Sequence, residues 1–422
     1  MNGSLLRSSL LFLSLVFVQA QAQTAWPLPV ATPEAAGFSA KGLDRLHQAL
    51  DRTVDDGSHA GYILLLARDG KVVDWRAHGT RNALTHEALA KDDIVRIFSM
   101  SKLFTSVGVL MLLEEGRLKL DDPIGRYLPA LAHPRVLAGG SAEAPVLVDA
   151  QRPVTIRDLL THTSGYYYDF TASEALLSFW RKAQVFAAPD LEAFVARVAQ
   201  LPLAHQPGTA FRYGISTDLL GALIEKVSGQ SFDAFLAQRI TGPLGLRDTG
   251  FWVPADKVAR LALIHSKDAS GRLVPDPAFN GERSTASRGL RSGGGGLYST
   301  GADYLRFAQM LLNGGQLEGV RLLSRKSVEL MIQNHLSTLA DPHPFGAKAQ
   351  GFGLGVRLIT DLGQSPVLGT AGTFGWDGMA TTNVQIDPRE RLVAIVLYQH
   401  LPFNEGDVFS TFTNGAYSAL AD

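Results

Sequence analysis

The chain lacks cysteine altogether. Its 422 residues therefore offer no disulfide bond, no thiolate nucleophile and no cysteine for a lipid anchor. A chain of this length can bury enough apolar surface to fold without such cross-links. An excess of charge is missing too, because 39 basic and 40 acidic residues leave a formal net charge of −1. This balance argues against a nucleic-acid or anionic-membrane partner.

Metal-binding patterns and long apolar runs are also absent from the sequence. The 11 histidines are scattered, and none of them forms an H-x-H or H-E-x-x-H pattern. We therefore predict no metal ion and no other cofactor. The apolar run at residues 10–18 is too short for a stable membrane span, and no later run is long enough.

The first residues carry the pattern of a secretory signal peptide. Arg7 supplies a positive charge, residues 10–18 an apolar core, and Ala20-Gln21-Ala22 an A-x-A cleavage signal. The sequence thus predicts that residues 1–22 are removed near Ala22. We expect a periplasmic or extracellular protein that acts on a small molecule, and the sequence leaves its oligomeric state open.

The secondary-structure signals predict a sheet built from both ends of the chain. A helix is predicted at 40–54 and a hairpin at 62–76, whereas 133–152 reads as a surface loop. Later strands are predicted at 352–360, 367–369, 379–386 and 392–399, before a final helix at 408–419. The expected fold class is α/β plus α, with a mixed antiparallel sheet flanked by helices. We predict a sheet subdomain of residues 23–95 and 291–422, with a mainly helical subdomain, residues 96–290, inserted.

The most informative stretch is Ser99-Met100-Ser101-Lys102, which opens an apolar helix. Residues three apart are neighbours on a helix, so the Ser99 hydroxyl and the Lys102 amine would share a face. Burial would favour the neutral amine, which can assist a nucleophilic serine. Alone, the spacing is more often a serine cap followed by an ordinary lysine. No G-x-S-x-G occurs, and a Ser-His-Asp triad stays open without positive support.

Further motifs follow in a fixed order along the chain. They lie at residues 99–102, 120–123, 154–165, 213–215, 219–221, 243–246, 292–297 and 376–378. In this order they resemble the serine β-lactamase and penicillin-binding superfamily. The resemblance is closest to its class C β-lactamase branch and to the family VIII carboxylesterases. It implies a β-lactamase/transpeptidase-like fold and catalysis through an acyl-enzyme.

The resemblance also implies roles for individual residues. Ser99 would be the acylated nucleophile, and Lys102 and Tyr213 would share the role of base. The backbone N–H groups of Ser99 and Met379 would form the oxyanion hole. The residues expected to contact the substrate are Tyr166, Ile215, Trp376, Asp377 and Gly378.

Two departures from the family pattern bear on the substrate. Family β-lactamases have Asn at the place of Ile215, and a lysine at the place of Trp376. Tryptophan cannot pair with a substrate carboxylate, and Asp377 would repel one. The sequence therefore favours a secreted serine carboxylesterase. The alternatives are a β-lactamase or D-Ala-D-Ala carboxypeptidase-like peptidase, and a catalytically silent binding protein of the same fold.

Overall fold

The computed structural model of the protein describes residues 26–281 and 289–421. The predicted signal peptide lies outside the described residues. Within them the α-helices, α1 to α10, are Ala40–Asp55, Ser101–Glu114, Ile156–Leu160, Glu174–Ala183, Leu191–Val198, Ser216–Ser228, Phe232–Leu236, Gly301–Leu312, Arg325–Met331 and Val408–Ser418. The strands, β1 to β16, are Gly61–Arg68, Lys71–Asn82, Glu87–Ala88, Val95–Arg96, Arg135–Gly140, Pro145–Asp149, His265–Lys267, Leu273–Pro275, Tyr298–Ser299, Gln316–Leu317, Val320–Arg321, Gln350–Phe352, Arg357–Ile359, Phe374–Gly378, Thr382–Asp387 and Leu392–Tyr398.

Eight of these strands form the main sheet. Their order is β12-β13-β14-β15-β16-β1-β2-β3, and neighbouring strands are antiparallel. Strand β16, near the end of the chain, pairs with β1, near its start, with Leu65 opposite Ile395. The predicted architecture, an antiparallel sheet from both chain ends flanked by helices, is therefore confirmed. The predicted subdomain boundaries stay a prediction.

The two central strands are buried on both faces. Successive side chains of a strand point to opposite sides. Leu64 of β1 faces α1 and α10, where it packs in one apolar cluster with Leu46 and Phe412. Leu65 belongs to the main core on the other face, together with Phe104 of α2. Helices on both faces explain why β1 reads as an unbroken apolar run.

Helix α2 passes through the interior of the molecule. All of its residues from Ser101 to Leu112 are buried, which fits a helix that is apolar on every side. A short 3-10 helix, Phe98–Met100, precedes it, so Ser99 lies just before the α-helix rather than at its first residue. No helix in the described residues is both long and apolar enough to cross a bilayer.

Three local predictions were wrong. Residues 133–152 contain the hairpin β5–β6, whose valines Val146 and Val148 are exposed, so the sequence has no buried alternation to mark the strands. The single strand predicted at 352–360 is the pair β12–β13, because Gly355, with φ +82°, lies in the turn between them. Residues 367–369 form no strand.

Candidate active site

Ser99 lies on a firmly supported turn between β4 and α2. The Leu297 N–H donates to Ser101 Oγ at 3.1 Å, which ties the glycine-rich segment before Leu297 to the start of α2. The Tyr304 hydroxyl of α8 donates to the Met100 carbonyl at 3.0 Å. Two separate elements thus hold the backbone on which Ser99 is carried.

The three residues expected to form the catalytic group lie together. Ser99 Oγ accepts hydrogen bonds from Lys102 Nζ at 3.1 Å and from the Tyr213 hydroxyl at 2.7 Å. Lys102 Nζ also lies 4.7 Å from the centre of the Tyr213 ring. Lys102 is fully buried, Tyr213 is nearly so, and Ser99 is half-buried. The geometry therefore offers a hydroxyl, a phenol and an amine in mutual contact, with the hydroxyl nearest to solvent.

Lys102 has two further acceptors. Its Nζ donates to the Gly294 carbonyl at 2.7 Å and to the Tyr168 hydroxyl at 3.2 Å. With Ser99 Oγ this makes three acceptors, the number that the three N–H bonds of an ammonium group can serve. The contacts therefore match an ammonium group and not the neutral amine that burial alone was expected to favour. Gly294 lies in the glycine-rich loop, residues 292–297, whose backbone approaches Lys102 closely.

The close approach leaves no room for a side chain at Gly294. A Cβ atom there would lie 2.5 Å from Asp218 Oδ2 and 2.9 Å from the Tyr168 hydroxyl. The Gly294 N–H donates to Asp218 Oδ1 at 3.1 Å, and the Ser292 hydroxyl donates to the same oxygen. Asp218 is thus a fully buried carboxylate next to the lysine site.

The surroundings of Asp218 and Tyr168 shift the pKa values of both side chains. Burial raises the pKa of Asp218, and the positive charge of Lys102 opposes that rise. Burial also raises the pKa of Tyr168 well above its ordinary value, and the negative charge of Asp218 adds to the effect. Tyr168 therefore stays protonated at neutral pH, and its hydroxyl lies between the lysine and the carboxylate.

Sequence reasoning missed Tyr168 and Asp218. Asp218 could have been found as an acidic residue inside the apolar stretch 215–224. Of the three consecutive tyrosines 166–168, the sequence prediction names only Tyr166. The structure buries Tyr166 in the main core with 1% exposure, and the tyrosine that reaches Lys102 is Tyr168.

Ile215 is likewise fully buried in the main core. It directly precedes α6, on which Asp218 is carried. Its side chain therefore presents no surface to a ligand in this structure. The expected substrate contact is not seen, because core packing occupies the whole side chain.

Trp376 of β14 contacts the Tyr213 phenol. Its Nε1–H donates to the Tyr213 hydroxyl at 3.3 Å, and the two ring centres are 5.4 Å apart. Phe352 packs edge-on against Trp376 at 5.3 Å, which fixes the plane of the indole. The sequence predicted a substrate contact for Trp376, and the structure shows a hydrogen-bond partner of the candidate base.

Asp377 is engaged with other side chains of the sheet. Arg357 of β13 donates to both of its carboxylate oxygens, with 3.1 Å between Nη2 and Oδ1. Asn383 of β15 donates to the Oδ1 atom at 2.5 Å. The negative charge that was expected to repel a substrate carboxylate is therefore compensated by Arg357.

The end of β14 runs close to the nucleophile turn. A Cβ atom at Gly378 would lie 2.4 Å from the Ile97 carbonyl oxygen, so glycine is required there. Met379 packs in a small apolar cluster with Phe98, the neighbour of Ser99. Met379 thus packs against the segment that carries Ser99, and the part of its N–H in an oxyanion hole stays a prediction.

Histidine and carboxylate side chains form no candidate metal site in the part of the chain that the structure describes. Nowhere in residues 26–281 and 289–421 do three or more of them come together in a way that could hold a metal ion.

His162 is a buried neighbour of the site, with its ring centre 4.9 Å from that of Tyr213. Burial, together with the charge of Lys102, lowers the pKa of His162 well below its ordinary value.

Comparison with known proteins gives a consistent result. A family model described as Beta-lactamase matches residues 46–412. Protein Rv1367c of Mycobacterium tuberculosis is 35% identical over 367 residues, covering 85% of this chain and 90% of that protein. Lovastatin esterase of Penicillium rubens is 29% identical over 400 residues, covering 89% and 98%. The unliganded simvastatin synthase (LovD) structure from Aspergillus terreus has a TM-score of 0.77 at 25% identity, covering 90% of this chain and 99% of that one.

Proposed function

The chain belongs to the Beta-lactamase family, and we propose that it is a serine hydrolase that cleaves carboxylic esters through an acyl-enzyme on Ser99. The observation that carries the proposal is the pair of hydrogen bonds that Ser99 Oγ accepts from Lys102 and Tyr213, at 3.1 and 2.7 Å. A serine becomes a strong nucleophile when a neighbouring group can take its proton. The phenolate form of Tyr213, which would accept the hydrogen bond from Ser99 instead of donating it, is that group in this proposal.

Acylation begins with proton transfer from Ser99 Oγ to the Tyr213 phenolate as Oγ attacks the ester carbonyl carbon. The Lys102 ammonium and the Trp376 N–H stabilise the phenolate before the transfer, at the distances given above. The negative charge that develops on the carbonyl oxygen faces the N–H groups of Ser99 and Met379. Tyr213 then gives the proton to the leaving alkoxide, the alcohol departs, and an ester of Ser99 remains.

Deacylation repeats these steps with water. The Tyr213 phenolate takes a proton from a water molecule, whose oxygen attacks the acyl carbon. When the tetrahedral intermediate collapses, Tyr213 returns that proton to Ser99 Oγ. The carboxylic acid leaves, and the starting state is restored.

An ester fits this site better than a substrate with a carboxylate. Trp376 stands where family β-lactamases have a lysine, and its N–H is already used by Tyr213. Arg357, whose guanidinium carbon lies 5.8 Å from the centre of the indole ring, is paired with Asp377. The similarity to a lovastatin esterase over nearly the full length of both chains also supports ester chemistry.

The Ser99→Ala variant tests the proposal. We expect it to lose hydrolysis of p-nitrophenyl butyrate, and with it the butyryl mass increase on the enzyme in rapid-quench mass spectrometry. Ser106→Ala is the matched control, because Ser106 lies on α2, the helix that follows Ser99, and its Oγ has no hydrogen-bond partner among the described residues. Undiminished turnover by Ser99→Ala would overturn the proposal. Faster hydrolysis of a chromogenic cephalosporin than of esters would favour the β-lactamase alternative.

We also propose that the enzyme works outside the cytoplasm, on the basis of the signal-peptide pattern in residues 1–22. Expression of the full chain in a bacterial host followed by fractionation tests this. The mature protein in the periplasm or medium should begin near residue 23. A protein that keeps residues 1–22 and stays in the cytoplasm would contradict the proposal.

A further inference from the structure

Three phenylalanine side chains are exposed around the candidate active site. Phe170 is 70% exposed, Phe186 40% and Phe345 62%. We call these three residues the phenylalanine rim. Single exposed apolar side chains are common on proteins, but a group of them around a candidate active site marks a place where apolar groups bind.

The rim is continuous with the catalytic group. The ring centres of Phe345 and Phe170 lie 5.7 and 6.4 Å from that of Tyr213. Phe170 also stacks on Tyr168, with 5.2 Å between ring centres and an interplanar angle of 14°. Phe186 lies nearly parallel to the same tyrosine at 6.3 Å. Flat apolar surfaces thus extend outward from the two tyrosines that surround Lys102.

Phe345 has a further property that packing alone does not explain. Its backbone has φ +56°, a left-handed conformation that costs a non-glycine residue on the order of 1–2 kcal/mol. Such a cost is usually balanced by burial of the side chain, yet most of this ring faces solvent. A residue that is both strained and exposed beside a catalytic group points to a role in ligand binding.

The chemistry of Tyr213 indicates which half of the substrate meets the rim. In the proposed function, on which this inference rests, Tyr213 gives its proton to the oxygen of the leaving alcohol. That oxygen must therefore lie within hydrogen-bond distance of the Tyr213 hydroxyl. Groups attached to it extend over the surfaces next to Tyr213, which are Phe170 and Phe345.

We propose that the phenylalanine rim binds the alcohol portion of the substrate, and that the preferred substrates are esters of bulky, ring-containing apolar alcohols. A flat ring can stack on the exposed phenylalanines and remove apolar surface from water on both sides. Small alcohols such as methanol would leave the rim exposed. Selectivity is therefore set on the alcohol side.

Two series of esters test the alcohol and acyl portions of the substrate separately. In the first, the acyl group is always acetyl and the alcohol is methyl, benzyl or 2-naphthylmethyl. In the second, the alcohol is always methyl and the acyl chain is acetyl, butyryl or octanoyl. The enzymes are wild type, Phe170→Ala and Phe345→Ala. Phe403→Ala is the matched control, since this 49% exposed ring packs on Phe409, with 5.4 Å between ring centres.

We expect Phe170→Ala and Phe345→Ala each to lower kcat/KM for 2-naphthylmethyl acetate relative to methyl acetate by about tenfold, mainly through KM. The relative rates in the acyl series should match wild type, and Phe403→Ala should change neither series. Phe345→Leu, which keeps apolar surface but loses the flat ring, should fall between Phe345→Ala and wild type.

These experiments distinguish failure of the inference about the rim from failure of the proposed function. If Ser99→Ala still hydrolyses methyl acetate, the acyl-enzyme proposal fails. If hydrolysis depends on Ser99 but the rim variants keep wild-type selectivity, only the inference about the rim fails. It is also overturned if the loss falls on the acyl series. The rim variants could instead keep wild-type selectivity and lose self-association in sedimentation velocity. That result would assign the rim to an interface between copies of the chain, and it would also overturn the inference about the rim.

Discussion

The indole nitrogen of Trp376 donates a hydrogen bond to the hydroxyl oxygen of Tyr213, at 3.3 Å. The residue that stands in place of a substrate-binding lysine therefore acts on the candidate base. Compared with family β-lactamases, the site lacks a lysine that could pair with the substrate, and it has instead an N–H group that donates to the oxygen of Tyr213.

Replacing Trp376 by Phe should lower kcat for ester hydrolysis by about tenfold, which corresponds to about 1.4 kcal/mol of transition-state stabilisation. The ring packing against Phe352 is kept, so KM and thermal stability should change little. Steady-state kinetics with p-nitrophenyl butyrate measures the effect. Trp75→Phe is the matched control, because the Trp75 Nε1 is buried without a hydrogen-bond partner in the described residues. An unchanged kcat for Trp376→Phe would show that the N–H contributes nothing to catalysis.

Replacing Tyr168 by Phe should also lower kcat by about tenfold. The change removes the hydroxyl between Lys102 and Asp218, so the lysine loses one acceptor and is held less firmly against Ser99. Tyr166→Phe serves as the comparison, since Tyr166 is buried away from Lys102 and should keep nearly full activity. Equal kinetics for the two variants would contradict the assignment of Tyr168 to the site.

The Gly294→Ala variant should lose most activity and about 1–3 kcal/mol of stability. The added Cβ would collide with Asp218 and the Tyr168 hydroxyl, which displaces the loop carbonyl from Lys102. Gly295→Ala is the control in the same loop. A Cβ there comes no closer than 3.7 Å to Phe98, an ordinary contact. Thermal unfolding and ester kinetics on both variants test the difference, and equal tolerance of the two would be the contrary result.

Stability should fall as pH decreases from about 6.5 to 4. Burial lowers the pKa of His59 and of His265 to about 4, and it lowers the pKa of His400 as well. The His59 and His400 rings lie 4.3 Å apart, so two positive charges there would repel each other. The Ala83 N–H donates to His265 Nε2 at 3.0 Å, which requires an unprotonated nitrogen.

The direction of this pH dependence follows from proton binding. Between pH 6.5 and 4 the unfolded chain binds protons on these histidines and the folded chain does not, so unfolding is favoured as pH falls. Each fully shifted histidine contributes on the order of 2–3 kcal/mol across this window. Thermal unfolding from pH 7.5 to 4 should show a weaker dependence in His59→Gln than in wild type. His133→Gln, at an exposed position, should behave as wild type. An identical slope for His59→Gln would refute the assignment.

The catalytic group could be predicted because its signals are local or follow the family pattern. Ser99 and Lys102 are three residues apart on one helical segment, so their contact follows from helix geometry. The buried strands β1 and β16 were predicted for a similar reason, since continuous apolar runs mark them. The hairpin β5–β6 was missed because its exposed strands bury too little apolar surface to leave a pattern.

The contacts around Lys102 could not be predicted from local signals. Tyr168 lies 66 positions and Gly294 192 positions from Lys102, and tertiary packing alone brings them to it. The pairing of Asp377 with Arg357 depends in the same way on the register of β13 against β14. For Ile215 the family pattern predicted a substrate contact, whereas the structure shows that core packing determines its orientation.

The pairing of β1 with β16 has a consequence for the way the chain reaches its native state. Beside this pair, Arg68 Nε donates to the Glu390 carbonyl across 322 positions of sequence. A ribosome must therefore finish nearly the whole polypeptide before the central sheet can close, and contacts of such high sequence separation form slowly. Until then β1 exposes an unpaired apolar edge. The central sheet of a chain with this topology forms only when synthesis is nearly complete, so the apolar strand β1 is open to aggregation for most of that time.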